Sequence, residues 1–332
     1  MKIAFITDGG LEMGMGHVYR SITLAEELRH LAGTDVYFIT YGDELVVKKL
    51  EDSGFSVFKL ENDMSVILHL KNTQPDIVII DRLDLDEIFV KDIREGFDGK
   101  IVIFGNLSSA NQYADMVINS VIGSDFKNRR FRDEETGTLY FYGPKYLVLR
   151  KEFYEFKKKK RAKSIENIRR VLLIFGGSDA SNLTSRALDS LLKLNYIEEV
   201  DVLLGPHFIY EKEVNSVLEK HLGKRGCVHI FKDVKNVAEM MDKADLVVTS
   251  PGLSMFEAFC VGTPVIAIRE SQLHDTAFGD FINTFDSSVV DHLEELIFDN
   301  ESLEVNTKYI EELEVGDGKN ELIEEIVQEV KK

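Results

Sequence analysis

The sequence is poor in positive charge, and this shortage excludes one large class of partner. It carries 40 lysines and arginines against 58 aspartates and glutamates, which gives a formal net charge of −18. Binding to nucleic acid depends on a basic surface that neutralises phosphates, so we expect no nucleic-acid partner. The one basic run, KKKKRAK at 157–163, is more typical of a solvated linker than of a binding patch.

Cysteines and long apolar runs are also scarce. The two cysteines, Cys227 and Cys260, lie in apolar surroundings without metal-ligand spacing, which predicts buried thiols in a reducing compartment. No apolar run approaches the length of a membrane span, so membrane insertion is not expected. The opening MKIAFITDGG is more typical of a first strand than of a signal peptide. Together these features predict a cytoplasmic protein.

What the sequence does contain is a regular alternation of strand-like and helix-like segments. Its 332 residues, 44% of them hydrophobic and 30% charged, suit two globular domains. The apolar runs are KIAFIT, DVYFIT, FSVFKL, DIVIID, KIVIFG and ADMVINS, then RVLLIFG, VDVLLG, VHIFK, ADLVVTS and TPVIAI. The helical patterns cover 18–31, 43–53, 86–95, 183–194, 210–222, 253–261 and 318–331. Strands that are apolar on both faces and separated by helices predict an α/β fold with doubly wound parallel sheets.

Both halves begin alike, with a strand, a glycine turn and a helix. Hydrophobicity falls near KKKKRAKSIENIRR and rises again at the strand 171–175. We therefore predict an N-terminal domain at 1–160 and a C-terminal domain at 161–332, with the alternative that the last helix packs back on the first domain. Ligands of open α/β sheets bind at the carboxyl ends of the strands, so a site is expected where two such edges face a cleft.

The segment FGGSDASNLT at 175–184 places a glycine pair between a strand and a helix. Exposed backbone amides beside a helix N-terminus favour a phosphate. The candidate contacts are Gly176, Gly177, Ser178, Asp179 and Asn182. A tight turn with a helix cap would explain the same residues equally well. The segment is not a P-loop, because no lysine follows the glycines.

A second strand-to-helix turn lies in ADLVVTSPGLSMFEAFCVGTPVIAI at 244–268. Ser250 ends the strand, and Gly252, Leu253 and Ser254 form the turn and the start of a short helix. Glu257 lies one turn inside that helix, where a carboxylate suits the two hydroxyls of a ribose. The alternative is a surface glutamate, but its apolar neighbours favour a binding role.

The third glycine turn, GMGHVYR at 14–20, lacks the last glycine of a dinucleotide fingerprint and is not a nicotinamide site. His17 lies in the first helical turn, with Arg20 and Ser21 one turn further on. A helix N-terminus disfavours imidazolium, so His17 suits a general base. A purely structural histidine is the alternative. The predicted buried stripe of this helix is Val18, Ile22, Ala25 and Leu28.

These segments, in this order, resemble the UDP-sugar hydrolases of pseudaminic acid biosynthesis and their spore-coat-polysaccharide relatives, the PseG/SpsG-like family. The family's G-x-G-H-x-x-R is present as Gly14, Gly16, His17 and Arg20. DIVIID, which ends at Asp81, matches its acidic strand end, and YGPKYLVLRKEF at 142–153 is similar to a further family segment. RESQ at 269–272 stands where the family has an Asn-Gln pair, so Gln272 matches and Ser271 differs.

The resemblance implies a GT-B-like fold and a specific reaction. Water would attack the anomeric carbon of a UDP-linked acetamido-deoxy sugar, with His17 as the base and UDP as the leaving group. The turns at 176–182 and 252–254 would stabilise the departing diphosphate, and Glu257 would hold the ribose. Other substrate contacts would come from Gly14, Gly16, Arg20, Asp81 and Gln272. The resemblance implies neither a cofactor nor a metal, and it suggests enzymes of sugar biosynthesis as partners.

Two other functions fit the same sequence. A GT-B glycosyltransferase would use the same donor site with an acceptor hydroxyl in place of water. A nucleotide-sugar-binding module would bind without turnover. After Asp81 the family commonly has a tyrosine two residues on, whereas this chain has Arg82 and Leu83. The sequence therefore leaves the identity of the sugar open.

Overall fold

The computed structural model describes residues 1–10, 15–31, 33–82, 85–105, 108–121, 127–157, 167–232, 234–278, 284–298, 303, 310 and 312–329. The chain forms two compact units. The first comprises Met1–Val148 with Gly316–Lys332, and the second comprises Leu149–Val315. Gly14 and Leu83, which were discussed above, lie outside the described residues.

The division between the units falls at Val148, ahead of the boundary expected at 160, for two physical reasons. Phe153 is fully buried, on a helix that packs within the second unit. At the other end of the chain, Gly316 and Gly318 donate backbone hydrogen bonds to the 144–145 segment of the first unit. The C-terminal helix then buries Leu322 and Ile326 in the core of that unit.

The strands, numbered along the chain, form two sheets. Those of the first unit are β1 (Lys2–Thr7), β2 (Asp35–Thr40), β3 (Ser56–Lys59), β4 (Ile77–Asp81), β5 (Lys100–Phe104), β6 (Met116–Asn119), β7 (Arg129–Arg132) and β8 (Leu139–Tyr142). Those of the second unit are β9 (Arg170–Ile174), β10 (Glu199–Leu204), β11 (Val228–Lys232), β12 (Leu246–Thr249), β13 (Val265–Arg269) and β14 (Thr284–Asp286).

Helices connect these strands. They are α1 (Gly16–Arg29), α2 (Glu44–Asp52), α3 (Asp63–Thr73), α4 (Glu87–Gly96), α5 (Lys151–Lys157), α6 (Leu183–Leu192), α7 (Glu211–Lys220), α8 (Val237–Lys243), α9 (Leu253–Val261), α10 (Gln272–Phe278), α11 (Leu293–Phe298) and α12 (Lys319–Glu329). Among the described residues, no helix combines the length and the apolar character that crossing a membrane requires.

The two sheets share one topology. The first has the order β3-β2-β1-β4-β5-β6-β8-β7, and the second has the order β11-β10-β9-β12-β13-β14. The first six strands of one sheet and all six of the other follow the doubly wound order 3-2-1-4-5-6. Among the described strand pairs, only β7 with β8 is antiparallel. The predicted α/β class with doubly wound parallel sheets is confirmed.

Helices cover both faces of the first sheet, which explains why its strands are apolar throughout. Ile3 and Phe5 pack in the cluster that includes α1, whereas Ala4 and Ile6 pack against α3 and α4. The predicted stripe of α1 is confirmed, because all four of its residues are buried. Burial of this stripe fixes the helix, and with it the direction in which its first turn points.

The cysteine prediction is correct for one residue and wrong for the other. Both thiols are free, and Cys260 is buried on α9, but Cys227 is only partly buried. Cys227 ends a short 3-10 helix at Leu222–Cys227, where its Sγ donates to the carbonyl oxygen of Lys224 at 2.8 Å. Its position at the start of the edge strand β11 leaves one side uncovered.

Candidate active site

The candidate active site of the first unit is built around a buried carboxylate at the end of β4. Asp81 is 1% exposed, and its Oδ1 lies 2.6 Å from Nδ1 of His17. Arg20 donates to both carboxylate oxygens, from Nε to Oδ2 at 2.8 Å and from Nη2 to Oδ1 at 2.5 Å. Ser21 adds a hydroxyl bond to Oδ2 at 3.2 Å. One side chain thus holds three residues of α1.

Helix spacing and strand register bring these groups together. His17, Arg20 and Ser21 are three and four residues apart, so they lie on one face of α1. The parallel register pairs Thr7 of β1 with Asp81 of β4, which places Asp81 at the carboxyl edge of the sheet. Helix α1 follows β1 and begins at that same edge. Both His17 and Asp81 were selected from the sequence, but their contact was not predicted.

Asp81 is held as a carboxylate. Burial alone would raise its pKa, but the charges of Arg20 and His17 and their hydrogen bonds together keep the pKa well below the ordinary value. A carboxylate has only acceptor sites, so Nδ1 of His17 serves as the donor in this pair. Nη2 of Arg20 is also 3.3 Å from Nδ1 of His17, and both nitrogens contact Oδ1 of Asp81. In the neutral imidazole with this tautomer, the other ring nitrogen, Nε2, carries the lone pair that a base needs.

Arg20 and Asp81, both expected among the substrate contacts, have geometry that favours a positioning role instead. Arg20 is 8% exposed, and it uses Nε and Nη2 on Asp81. Its guanidinium also lies 5.3 Å from the centre of the Phe104 ring. At Gly16 a Cβ would meet open space, so this position has room beside the start of α1.

In the second unit, the turn after β9 packs against the end of β10. Gly176 has a φ of 67°, in the region that favours glycine. The carbonyl oxygen of Gly177 accepts a hydrogen bond from the backbone amide of His207 at 2.9 Å. A Cβ at Gly205 would overlap the carbonyl oxygens of Gly176 and Gly177. Gly205 therefore shapes this turn, although we did not select it from the sequence.

Within the same turn, Asp179 caps α6. Its carboxylate accepts from the backbone amides of Leu183 at 2.7 Å and of Thr184 at 2.9 Å. Burial raises its pKa to about 6, against the effect of these hydrogen bonds. Asn182, in the left-handed region at φ 52°, precedes the helix, and Ser178 lies in the turn itself. The backbone amides of Leu183 and Thr184 thus already donate to Asp179. Asp179 therefore caps the helix and does not serve as a ligand contact.

The start of α9 differs in this respect. Gly252 precedes the helix at a φ of 143°, and among the described residues no side chain caps the backbone amides of Leu253 and Ser254. Uncapped amides at a helix N-terminus carry partial positive charge and suit an anion. Ser250, just before this turn, donates from Oγ to Glu270 at 3.0 Å. Glu270, which we did not predict, thus lies beside both glycine turns.

Glu257 of α9 is a buried carboxylate rather than a surface one. It is 4% exposed, and its Oε1 accepts from Nη2 of Arg150 at 3.2 Å. Burial raises the pKa of Glu257, and Arg150 opposes that shift. Arg150 also pairs with Glu152 at 3.1 Å. Among the described residues none donates to Oε2 of Glu257, so this oxygen can accept from a ligand hydroxyl.

Gln272 begins α10 with an exposed side chain. It lies two residues after Glu270, in the segment that follows the carboxyl end of β13. Within the described ranges, no group of three or more His, Cys, Asp or Glu side chains is arranged to hold a metal ion.

Comparison with known proteins gives no match to any family model but three related sequences. An uncharacterised protein of Methanocaldococcus jannaschii is 44% identical over 329 residues, which cover 98% of this chain and 66% of that protein. The spore coat polysaccharide biosynthesis protein SpsG of Bacillus subtilis is 26% identical, over 83% of this chain and 79% of its own length. The UDP-2,4-diacetamido-2,4,6-trideoxy-beta-L-altropyranose hydrolase of Campylobacter jejuni is 24% identical, over 78% and 88% respectively. The two named relatives support the resemblance of this chain to the PseG/SpsG-like family.

Solved structures confirm the GT-B-like fold of this PseG/SpsG-like chain. MurG of Acinetobacter baumannii matches with a TM-score of 0.67 at 13% identity, over 99% of this chain and all (100%) of that one. Staphylococcus aureus MnaA in its UDP co-structure matches at 0.61 and 12%, over 99% and 96%. Anabaena HepE in complex with UDP matches at 0.56 and 14%, over 99% and 100%. At such identities the likeness concerns the fold alone.

Proposed function

We propose that this chain hydrolyses a UDP-linked acetamido-deoxy sugar at the anomeric carbon and releases UDP and the free sugar. The Campylobacter jejuni relative is named as a hydrolase of such a substrate, and two proteins of similar fold were solved with UDP. The Bacillus subtilis relative is named for polysaccharide biosynthesis, which supports a role in making a surface glycan or a nonulosonic acid.

The observation that carries the proposal is the 2.6 Å contact between Nδ1 of His17 and Asp81. It orients the imidazole and leaves Nε2 to take a proton from water. As the proton arrives, the Asp81 carboxylate stabilises the imidazolium that forms. The water oxygen then bonds to the anomeric carbon, the bond from that carbon to the phosphate oxygen breaks, and its electron pair leaves with UDP.

We assign nucleotide binding to the second unit. The uncapped amides of α9 at Leu253 and Ser254 supply partial positive charge for the diphosphate, and they interact more strongly as its charge grows during bond cleavage. Glu257 accepts a ribose hydroxyl through Oε2. Its other oxygen is held by Arg150, whose positive charge opposes the rise that burial causes in the pKa of this carboxylate. Metal is not needed in this scheme.

The experiment measures UDP release from a panel of UDP- and CMP-linked acetamido sugars, in water enriched in the heavy oxygen isotope. Hydrolysis at the anomeric carbon places the heavy isotope in the free sugar, whereas attack at phosphorus places it in UDP. Mass spectrometry of both products separates these outcomes. Release that requires an added sugar acceptor, with no heavy isotope in either product, would show a glycosyltransferase instead. Binding of UDP without release of UDP from any member of the panel would show a binding module.

A matched pair of variants ties the activity to the site. His17→Asn removes the base, and His30→Asn removes the exposed histidine just beyond the other end of the same helix. Turnover that is lost in the first and retained in the second supports His17 as the base. Equal turnover in the two variants would contradict the mechanism.

A further inference from the structure

A carboxylate from a third loop already lies at the junction of the two glycine turns of the second unit. Oε1 of Glu270 accepts from Oγ of Ser250 at 3.0 Å, and Oε2 accepts from the backbone amide of Ser181 at 3.3 Å. These three residues follow β12, β9 and β13, which are neighbours in the second sheet. Their shared position at the carboxyl edge is where ligands of doubly wound sheets bind.

The two donors are of the kind that binds phosphate oxygens, namely a backbone amide and a hydroxyl. Both donors already bind the carboxylate of Glu270, which is negatively charged like the proposed ligand. Asp179 is close enough for the two carboxylates to repel, and Arg269 is paired with Asp275 at 2.8 Å. His274 lies beside Glu270, with Nδ1 3.4 Å from its backbone amide. None of the described residues forms an ion pair with Glu270.

We propose that Glu270 is a tethered anion that occupies the phosphate position between the two turns and must leave it when the diphosphate binds. This inference rests on the proposed function. A diphosphate has to break both hydrogen bonds of Glu270 and then remain near a like charge, so Glu270 weakens its binding. The terminal phosphate of free UDP ionises a second time near pH 6, unlike a phosphate esterified on both sides. Glu270 therefore opposes the product more than the substrate, and it assists release of UDP.

The test compares binding of two probes, UDP and UDP-N-acetylglucosamine, to the full chain by isothermal titration at one pH and ionic strength. Glu270→Gln keeps the shape and removes the charge, and Glu270→Ala removes the hydrogen bonds as well. Both should bind UDP roughly tenfold more tightly, the size expected for losing one competing charged hydrogen bond. The gain for UDP-N-acetylglucosamine should be smaller. As the control, Glu198→Gln removes the same charge just before β10, at the amino edge of the sheet, and should change UDP affinity less than about twofold.

Thermal unfolding without ligand establishes whether each variant is folded. If Glu270→Gln does not fold, the test relies on Glu270→Ala. UDP affinity that is unchanged or weaker in a folded Glu270 variant would overturn the inference, since Glu270 would then be a bystander or a contact. Equal gains for both probes would overturn the part that concerns product release. Failure of the wild-type chain to bind UDP would instead overturn the proposed function.

Discussion

Replacing Asp81 with asparagine removes one charge from the centre of the candidate active site and leaves the shape of the side chain almost unchanged. The carboxylate has four hydrogen-bond contacts, two from Arg20 and one each from His17 and Ser21. An amide offers one acceptor oxygen, and its NH2 group would face donors. Breaking one side of a buried ion pair costs about 3–5 kcal/mol. We expect a loss of this size in the free energy of unfolding near pH 7.

The same substitution should lower turnover by roughly 10²–10⁴, because Nδ1 of His17 loses the acceptor that fixes its tautomer and orientation. UDP affinity should change little, since the residues proposed to contact UDP belong to the second unit. Stability and catalysis are thus both expected to depend on Asp81, whereas binding is not.

The assays are urea unfolding followed by circular dichroism, UDP release, and UDP titration, with Asp115→Asn as the control. Asp115 is also paired with an arginine, Arg94 at 2.5 Å, but it is partly exposed and lies away from α1. The pKa of Asp81 is lowered in the folded state, so its stabilisation is present above the unfolded value near pH 4 and is lost as pH falls through the folded value. The stability gap between wild type and Asp81→Asn should therefore narrow in acid below about pH 4. Turnover of Asp81→Asn that matched the control would refute the positioning role.

Four further results are expected. His17→Asn should lower turnover by roughly 10²–10⁴ with UDP affinity nearly unchanged, and loss of UDP binding in titrations would make His17 a ligand contact instead. Glu257→Ala should weaken the binding of UDP and of UMP equally, by about 1.5–3 kcal/mol, because the contact is to ribose. In the wild type, burial raises the pKa of Glu257, so titrations should show UDP affinity falling as acid protonates this residue. Gly205→Ala should weaken UDP binding in the same titrations because its Cβ overlaps the 176–177 turn, whereas Gly223→Ala, where a Cβ meets open space, should not. EDTA should leave UDP binding and release unchanged, and loss of either would contradict a metal-independent site.

Most of the fold could be predicted because its strands are apolar on both faces. The predictable strands of the first sheet, such as β1 and β4, are almost entirely buried. The three strands that the sequence did not reveal, β7, β8 and β14, lack this property, and in β8 buried and partly buried residues alternate. All four residues of β7, RRFR, are exposed at the sheet edge, and β14 has only three residues. An edge strand buries one face at most, and β7 accordingly contains no continuous apolar run.

The candidate site was predictable wherever local spacing decides the geometry. His17 and Arg20 had to share a face of α1, since three residues separate them. Their contact with Asp81 depends on strand register across more than 60 residues, and only the family resemblance pointed to that residue. Glu270 gave no signal in the sequence, because an acidic residue after a strand is common. Its importance comes from two donors that belong to other loops.

The arrangement of Arg20 explains how a buried aspartate can serve a histidine base. An isolated carboxylate beside His17 would favour the imidazolium, and a base must begin its reaction unprotonated. Arg20 binds both oxygens of Asp81, so the charge that reaches His17 is partly compensated. The carboxylate still accepts from Nδ1 and fixes the tautomer, and it still stabilises the positive charge that appears during proton transfer. Arg20 thus directs Nε and Nη2 to Asp81, which is why we assign neutralisation of the diphosphate to the uncapped start of α9 instead.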